Sequence, residues 1–313
     1  MRMRAISQNS AGGPEVLHLV ETDRPVPGPG EILVRVQAAG INPADWKTRA
    51  RGRFSTGAVP PFTLGIDVAG VVEEAGYGVA IHVPGDEVYG MPRFPHPAGA
   101  YAEFVTAPAR HFARRPATLD AIHAAALPLA GLTAWQALVD TADVQPGQRV
   151  LIHAAAGGVG HLAVQIAKAR GAYVIGTASA AKHAFLRDLG ADELIDYNTV
   201  DFAEVLRGAG LGVDVVLDTV GGDYWARSLS ALRPDGRLIS VIPPDDTFPA
   251  DPRAGFVLVE PDRAGLLELT ALVEGGQLRV VVDTTFPLEQ AAKAHALGES
   301  VRTTGKLVLS VGP

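Results

Sequence analysis

The pattern of apolar and polar residues changes near residue 125. Before that point, short alternating runs such as residues 31–36 and 68–73 are separated by turns rich in glycine and proline, which is typical of a compact β-domain. After it, apolar strands alternate with helical segments, beginning with a strand at Val150. Strands that alternate with helices predict a parallel sheet with helices on both faces.

The most informative segment covers residues 149–171, RVLIHAAAGGVGHLAVQIAKARG. A short apolar strand leads into a turn of small residues, and an amphipathic helix follows. The turn reads Ala155-x-Gly157-x-x-Gly160, with alanine where the strict dinucleotide fingerprint has its first glycine. Because side chains are nearly absent, a pyrophosphate can approach the backbone, and the helix N-terminus favours its charge. The predicted backbone contacts are Ala156, Gly157, Gly158, Val159 and Gly160. The alternative is a tight strand-to-helix connection without a ligand.

The end of the next strand distinguishes between the two nicotinamide cofactors. It reads Thr177-Ala178-Ser179, about twenty residues after the glycines, where an NAD-binding protein usually has a carboxylate for the ribose 2′-hydroxyl. No carboxylate stands there to repel a 2′-phosphate, and both Ser179 and Lys182 are able to donate to one. We therefore predict NADPH as the cofactor, bound by Thr177, Ala178, Ser179 and Lys182. In the alternative interpretation Ser179 is only a helix N-cap and Lys182 is solvated.

Composition excludes several classes of protein. The 313 residues are 47% hydrophobic, enough for two cores, and the net charge of −7 with no basic block argues against nucleic acid or an anionic membrane as partner. The absence of cysteine excludes disulfides, thiolate nucleophiles and Cys-ligated zinc. The nine histidines include no His-x-x-x-His pair, so we expect no metal. His153, beside the turn, is expected to be a hydrogen-bonded structural histidine.

Two expectations concern location and assembly. No apolar stretch reaches the roughly 18 residues of a membrane span, and the start MRMRAISQNS lacks the apolar core of a signal peptide. We therefore expect a soluble, cytoplasmic protein. The segment GFVLVEP is predicted as a strand at the sheet edge, and an exposed edge is covered when it pairs with a second copy. A homodimer is the predicted assembly.

Nine motifs along nearly the whole chain carry a family resemblance. In order, they are GINPADWKTRA, LGIDVAGVVEEAG, GDEVYG, GAYAEFV, LPLAGLTAWQAL, AAAGGVG, LGADELIDY, DVVLDTVGG and TTGKLVL. With these motifs the chain resembles the medium-chain dehydrogenase/reductase superfamily, in its zinc-independent branch of quinone oxidoreductase-like and enone (alkenal) reductase-like enzymes. Several motifs in one order are more specific than any single match.

The resemblance implies an α/β fold in two domains. A GroES-like β-domain would cover residues 1–125 and be completed by residues 262–313, and a Rossmann domain with a doubly wound parallel sheet would cover residues 126–261. The cleft between them would hold the nicotinamide. Zinc-dependent members have Cys and His at the positions of Asn42 and Ile66, so catalytic zinc is expected to be absent.

Without zinc, the resemblance implies a substrate that is already electrophilic. The expected reaction is transfer of hydride from NADPH to a quinone or an α,β-unsaturated carbonyl compound, with a donor that stabilises the developing oxyanion. Asn42 and Lys47 are the predicted donors, oriented by Asp45. Relatives that reduce quinones commonly have Tyr at the position of Lys47, and contact with the cofactor phosphates is an alternative role for this lysine. On the residues alone, the favoured interpretation of Asn42-Pro43 is a turn, with Asp45 capping a short helix and Lys47 solvated.

Further contacts are implied at other positions. Thr133 matches a family position beside the nicotinamide and Tyr197 one near the 2′-phosphate. The remaining cofactor contacts are predicted at Val220, Gly221, Ser240, Val241, Ile242 and Lys306, of which Lys306 is alternatively a solvated strand-end lysine. Loops at residues 50–61, 91–99 and 243–252 are expected to line the acceptor pocket. Two alternative functions stay open, a non-catalytic NADPH-binding or structural protein and a biosynthetic enoyl reductase.

Overall fold

The computed structural model describes residues 1–53, 56–208, 210 and 212–312. The chain divides into two compact units. Unit 1 comprises Met1–Leu132, Glu260–Glu274 and Val280–Pro313, and unit 2 comprises Thr133–Val259 and Gly275–Arg279. The predicted acceptor loop at residues 50–61 includes residues 54 and 55, which lie outside the described residues.

Sixteen strands and nine α-helices form within the described residues. The strands are β1 (Arg2–Gln8), β2 (His18–Asp23), β3 (Glu31–Ile41), β4 (Phe62–Thr63), β5 (Val68–Ala75), β6 (Glu87–Gly90), β7 (Phe104–Pro108), β8 (Phe112–Arg114), β9 (Arg149–Ile152), β10 (Tyr173–Thr177), β11 (Glu193–Ile195), β12 (Val213–Asp218), β13 (Leu232–Ser240), β14 (Ala254–Phe256), β15 (Val282–Pro287) and β16 (Lys306–Ser310). The helices are α1 (Pro43–Arg51), α2 (Ala121–Ala125), α3 (Pro128–Trp135), α4 (Gly160–Ala169), α5 (His183–Asp188), α6 (Phe202–Gly208), α7 (Asp223–Ala231), α8 (Arg263–Glu274) and α9 (Ala291–Glu299).

Unit 1 is built on a seven-stranded sheet to which the end of the chain contributes. Its strands run in the order β15-β16-β3-β5-β6-β8, and β7 also pairs with β3. Strand β16 lies antiparallel to β3, with Leu307 opposite Ile41 and Ser310 opposite Ala38. This register brings the first residue of β16 next to the residue that follows β3. A separate three-stranded sheet has the order β2-β1-β4.

Unit 2 is a six-stranded parallel sheet in the order β11-β10-β9-β12-β13-β14. Strand β9 lies at its centre, and Val150, Leu151 and Ile152 are fully buried, as expected for a strand covered on both faces. Chain order runs outward in one direction from β9 to β11 and in the other from β12 to β14. The turn after β9 therefore lies at the topological switch point, where such sheets bind ligands.

The unit boundaries differ from the sequence-based domain boundaries at residues 126–132, 260–261 and 275–279. Residues 126–132 pack with unit 1, where the Leu129 N–H donates to the buried Asp67 Oδ1 at 2.8 Å. Residues 275–279 pack with unit 2, because the Gln165 side chain donates to the Arg279 carbonyl and accepts from its N–H. These side-chain contacts carry no local sequence signal. None of the helices among the described residues is long and apolar enough to cross a bilayer.

Candidate functional site

The turn that follows β9 is closed by backbone contacts with the neighbouring strand. Ala154 has a left-handed conformation with φ of 45°. Its N–H donates to Thr177 Oγ1 at 3.2 Å, and the Ala155 N–H donates to the Thr177 carbonyl at 3.0 Å. The Gly157 N–H then donates back to the Ala154 carbonyl at 2.9 Å. These bonds fix the turn from Ala154 to Gly157 on the end of β10.

Glycine is required at position 160 by the turn itself. A Cβ there would lie 2.4 Å from the Ala154 carbonyl oxygen, whereas a Cβ at Gly157 would lie 3.2 Å from the same atom. Helix α4 begins at Gly160, and the preceding Val159 makes no side-chain cap. The preceding turn supplies partners for part of the first helical turn, because the His161 N–H donates to the Gly157 carbonyl at 3.1 Å and the Ala163 N–H donates to the Val159 carbonyl at 2.9 Å. Two interpretations fit this geometry. The turn could bind a pyrophosphate, or its small residues could serve only the tight packing of the helix against the strand.

The predicted 2′-phosphate residues of this segment lie at the end of β10 and directly after it. Ser179 is the N-cap residue of a short 3₁₀ helix, Ala180–Lys182, but its side chain makes no capping hydrogen bond. Thr177 and Ala178 are buried, and Ser179 and Lys182 are half-buried. Tyr197 is 48% exposed beyond the adjacent strand β11.

One carboxylate that sequence reasoning missed reaches this turn. Asp196 follows β11, accepts the Asn198 N–H at 3.0 Å and accepts a hydrogen bond from the backbone N–H of Ala180. Hydrogen bonds from Asn198 lower the pKa of Asp196, with a smaller contribution from Ala180. The sequence does contain a signal for it, since the motif LIDY places an acidic residue directly after the third strand of this sheet. Asp196 was missed because the usual rule for the ribose carboxylate concerns only the second strand.

Asp218 organises the ends of β12 and β13, and it too was missed. Its Oδ1 accepts the N–H groups of Val220 and Gly221, both at 3.0 Å. Its Oδ2 accepts from Trp225 Nε1 at 2.7 Å and from the Ser240 hydroxyl at 2.8 Å. The buried Ser240 hydroxyl is therefore committed to Asp218. The N–H groups of Val241 and Ile242 are bonded too, to the Asp218 carbonyl and to Ser240 Oγ, so any further polar contact of this segment would use a backbone carbonyl.

The other predicted contacts of this edge vary in exposure. Val220 is exposed, whereas Val241 and Ile242 are half-buried. Thr133 is buried.

His153 has the surroundings of a structural histidine. It is fully buried, with Nδ1 3.2 Å from Thr177 Oγ1 and Nε2 2.9 Å from Ser228 Oγ. Burial lowers the pKa of His153 to about 4, with Arg227 adding to the effect and Asp218 opposing it. A neutral ring held at both nitrogens stabilises the base of the turn.

Four side chains of unit 1, Asn42, Asp45, Asp67 and Lys306, form what we call the buried polar cluster. Lys306 Nζ donates to the Ile41 carbonyl at 2.8 Å and to Asn42 Oδ1 in a very short contact. Asn42 Nδ2 donates to Asp67 Oδ2 at 2.9 Å, and that oxygen lies 3.5 Å from Lys306 Nζ. Asp45 accepts the Asn42 N–H at 2.9 Å and the Gly65 N–H at 3.1 Å.

The interaction between Asp45 and the Asn42 N–H is the helix cap that the alternative interpretation of this motif predicts. The solvated position considered for Lys306 is wrong, because its side chain is 3% exposed. The pairing of β16 with β3 explains this burial.

Burial displaces the ionisation of all three charged groups in the cluster. It raises the pKa of Asp45 to about 7, opposed by the hydrogen bond from Asn42 and the charge of Lys306. Burial also raises the pKa of Asp67, and the positive charge of Lys306 opposes that rise. Desolvation lowers the pKa of Lys306 despite the two nearby carboxylates. The charges therefore depend on one another within a small, dry volume.

A chain of hydrogen bonds continues from Asp45 through residues that the sequence did not reveal. Tyr101 donates to Asp45, and its hydroxyl lies 3.2 Å from His295 Nε2. Arg49 Nη1 lies 3.2 Å from His295 Nδ1, and its Nη2 contacts Glu299 at 2.5 Å. Burial and Arg49 lower the pKa of His295 to about 3, which keeps the ring neutral.

Lys47 is exposed on α1 and does not contribute to the buried polar cluster. Of the three predicted catalytic residues, the structure brings together Asn42 and Asp45. Among the described residues, no group of three or more histidine or carboxylate side chains is arranged to hold a metal ion.

Comparison with known proteins places this fold. A family model described as "Alcohol dehydrogenase GroES-like domain" matches residues 28–117, and one described as "Zinc-binding dehydrogenase" matches residues 189–309. The chain is 38% identical over 325 residues to a 2-haloacrylate reductase of Burkholderia sp, covering 95% of this chain and 96% of that protein. It is also 38% identical over 309 residues to the polyketide synthase component PikAII of Streptomyces venezuelae, covering 93% of this chain but 8% of that protein.

Solved structures agree with these relatives. A quinone oxidoreductase from Coxiella burnetii superposes with a TM-score of 0.89 at 39% identity, covering 99% of this chain and 100% of that one. The Escherichia coli quinone oxidoreductase complexed with NADPH gives 0.87 at 32% identity, covering 98% and 100%. The predicted fold class, a GroES-like β-domain with a Rossmann parallel-sheet domain, is confirmed.

Proposed function

The chain belongs to the quinone oxidoreductase-like branch of the medium-chain dehydrogenase/reductase superfamily and is an oxidoreductase, and we propose that it uses NADPH to reduce a quinone or an enone. The observation that carries this proposal is the small-residue turn at the switch point of the unit 2 sheet. When bound, a reduced nicotinamide supplies hydride to an electrophilic carbon.

Backbone groups of unit 2 would hold the cofactor. The backbone of residues 156–160 would bind the pyrophosphate at the start of α4, through N–H groups other than that of Gly157, which donates to the Ala154 carbonyl. Ser179 and Lys182 would bind the 2′-phosphate, and the NADPH complex of the Escherichia coli relative supports this choice of cofactor. Asp196 opposes it, because its carboxylate accepts from the Ala180 N–H on the same turn. The preference for NADPH therefore rests on whether Lys182 outweighs Asp196.

Asn42 would polarise the acceptor oxygen. One hydrogen of its amide is bonded to Asp67, and the amide group carries a second. The residue is 1% exposed, so an acceptor oxygen at this hydrogen would be enclosed with it, where a hydrogen bond is stronger than in water. Asp45 would orient Asn42 through the backbone N–H. Lys47 stays a predicted donor, although its side chain is exposed and lies outside the buried polar cluster.

We propose that no zinc takes part. Asn42 and Ile66 stand at the two positions where the zinc-dependent enzymes have Cys and His, and the chain contains no cysteine. Polarisation of the acceptor would then depend on side-chain donors, with Asn42 as the buried one, and removal of one preorganised donor typically lowers kcat about 10²–10³-fold.

A second candidate function is reduction of an enoyl thioester. It is favoured by the match to the polyketide synthase component, of which this chain spans 8%. Both substrates place a carbonyl next to a carbon–carbon double bond, so the same donor would serve either. A thioester differs in its long acyl-carrier arm, which needs a binding surface that a free enone does not.

One experiment separates these functions. The purified protein is mixed with NADPH and, in turn, 1,4-benzoquinone, methyl vinyl ketone, 2-hexenal and a crotonyl thioester, and the absorbance of NADPH is followed. Faster loss with a quinone or free enone supports the first proposal, and a preference for the thioester supports the second. If NADPH binds tightly and no acceptor is reduced, the non-catalytic alternative replaces both.

A further inference from the structure

The carboxamide of Asn42 is held from both sides by opposite charges. Its oxygen accepts from the Lys306 ammonium, and its nitrogen donates to the Asp67 carboxylate. We propose that Lys306 and Asp67 are positioning residues that fix the Asn42 carboxamide in one of its two orientations and direct its second N–H at the acceptor. The catalytic part of this inference rests on the proposed function, whereas the orientation itself does not.

The pair specifies orientation because a flipped amide would be repelled at both ends. Rotation by half a turn exchanges the oxygen and nitrogen of the group. The amide hydrogens would then face the Lys306 ammonium, which has only donors, and the amide oxygen would face the Asp67 carboxylate, which has only acceptors when ionised. With a single neutral partner in place of the two charges, the flipped orientation of the amide would cost less free energy.

Backbone contacts hold the pair itself in place. Lys306 also donates to the Ile41 carbonyl at 2.8 Å, and Asp67 also accepts the Leu129 N–H at 2.8 Å. Their side chains are 3% and 0% exposed. Burying two charges costs so much desolvation that an ion pair of this kind contributes little net stability compared with apolar residues. A role in orienting a neighbour accounts for such a pair better than stability does.

The sequence offers a direct observation of the amide. Asparagine occurs only three times, at Asn9, Asn42 and Asn198, so selective ¹⁵N-asparagine labelling gives three side-chain NH₂ pairs in an NMR spectrum. Asn9 is exposed, and the exposed Asn198 donates to the Asp196 carboxylate at 2.8 Å. Asn198 is therefore an internal control for a carboxylate contact without burial.

The variant to test is Lys306→Met combined with Asp67→Asn. It removes both charges of the pair at once, so neither is left buried without the other and the fold is expected to survive. In the unaltered protein the Asn42 pair should exchange with solvent at least about a hundredfold more slowly than the Asn198 pair. In the double variant its exchange should accelerate at least tenfold, with the Asn9 and Asn198 pairs unchanged. Slow exchange retained in the double variant would overturn the orienting role.

Kinetics then test the catalytic consequence. The double variant should lower kcat at least tenfold, with less than a twofold change in the KM for NADPH. When the Lys306→Met and Asp67→Asn changes are added to Asn42→Ala, kcat should differ less than twofold from that of Asn42→Ala alone, because Lys306 and Asp67 act through Asn42. An independent, multiplicative loss of kcat would contradict positioning. If the unaltered protein reduces no acceptor, the proposed function fails and the exchange measurement alone decides the orientation. Lys293→Met, an exposed lysine of α9, is the control and should change neither readout.

Discussion

The small-residue turn of unit 2 and the buried polar cluster of unit 1 achieve order in opposite ways. The turn is a continuous stretch of backbone from Ala154 to Gly160, closed by backbone contacts with Thr177. The cluster joins Asn42, Asp67 and Lys306 from distant parts of the chain and is made of charged and polar side chains. The turn depends on the absence of side chains, whereas the cluster depends on two opposite charges.

This difference predicts two different kinds of sensitivity. Added atoms should damage the turn, because its neighbours are backbone atoms that have little freedom to move. Removed charges should damage the cluster, because each buried charge is compensated by the other. The largest loss of stability is expected from a change in the cluster.

The substitution Lys306→Met should destabilise the protein most. It leaves Asp67 buried without its positive partner, and breaking a buried pair from one side costs about 3–5 kcal/mol. Urea unfolding should show this loss for Lys306→Met. Adding Asp67→Asn should recover most of it. Lys293→Met, at an exposed site, should stay within about 0.5 kcal/mol of the unaltered protein. Equal stability of the two lysine variants would show that the cluster carries no coupled charge.

The substitution Gly160→Ala tests the turn. Its Cβ would lie 2.4 Å from the Ala154 carbonyl oxygen, and overpacking of this kind costs about 1–3 kcal/mol. Thermal unfolding measures the loss, and titration with NADPH should show weaker binding because the start of α4 must shift. Gly157→Ala is the matched control, since its Cβ meets the same oxygen at 3.2 Å, and it should lose less stability. A larger loss for Gly157→Ala would reverse the assignment.

The same contrast explains what could be predicted from the sequence. The turn and its flanking elements lie within residues 149–171, so periodicity and residue size were sufficient to place them. The cluster required the antiparallel register of β16 on β3, which brings Lys306 beside Asn42 across more than half of the chain. No local pattern encodes that pairing, and Lys306 was therefore assigned only as a cofactor contact or a solvated residue.

Acidic residues show the same limit at smaller scale. Asp67 and Asp218 lie in motifs that carried the family resemblance, yet the sequence did not show that each accepts hydrogen bonds from several groups. A buried carboxylate is identified by its surroundings, and those surroundings come from other strands. Asp45 was found because its partner, Asn42, is three residues away and belongs to the same helix start.

Asp45 should give the stability of the protein a distinct pH dependence. Its pKa is raised from 3.8 to about 7 in the folded protein, so between these values the native state binds more protons than the unfolded chain. The free energy of unfolding should therefore fall as pH rises through this range, by up to about 1.4 kcal/mol per pH unit from this group, and level off above it. Urea unfolding across the range should show a shallower slope for Asp45→Asn. Identical slopes would mean that Asp45 ionises normally.

The smallest expected effect concerns the choice between NADPH and NADH in unit 2, where charge matters despite the backbone nature of the turn. Lys182→Glu should raise the KM for NADPH about tenfold, the loss expected for one charge-assisted contact, and leave the KM for NADH nearly unchanged. Asp196→Asn should lower the KM for NADPH, because it removes a negative charge that competes for the Ala180 N–H.

If Lys182→Glu changes both KM values equally, Lys182 does not contact a 2′-phosphate. If Asp196→Asn weakens NADPH binding, Asp196 supports the turn rather than opposing the phosphate. Only opposite shifts in the two variants would show that local charge at the end of β10 selects the cofactor, while the backbone turn binds what NADPH and NADH have in common.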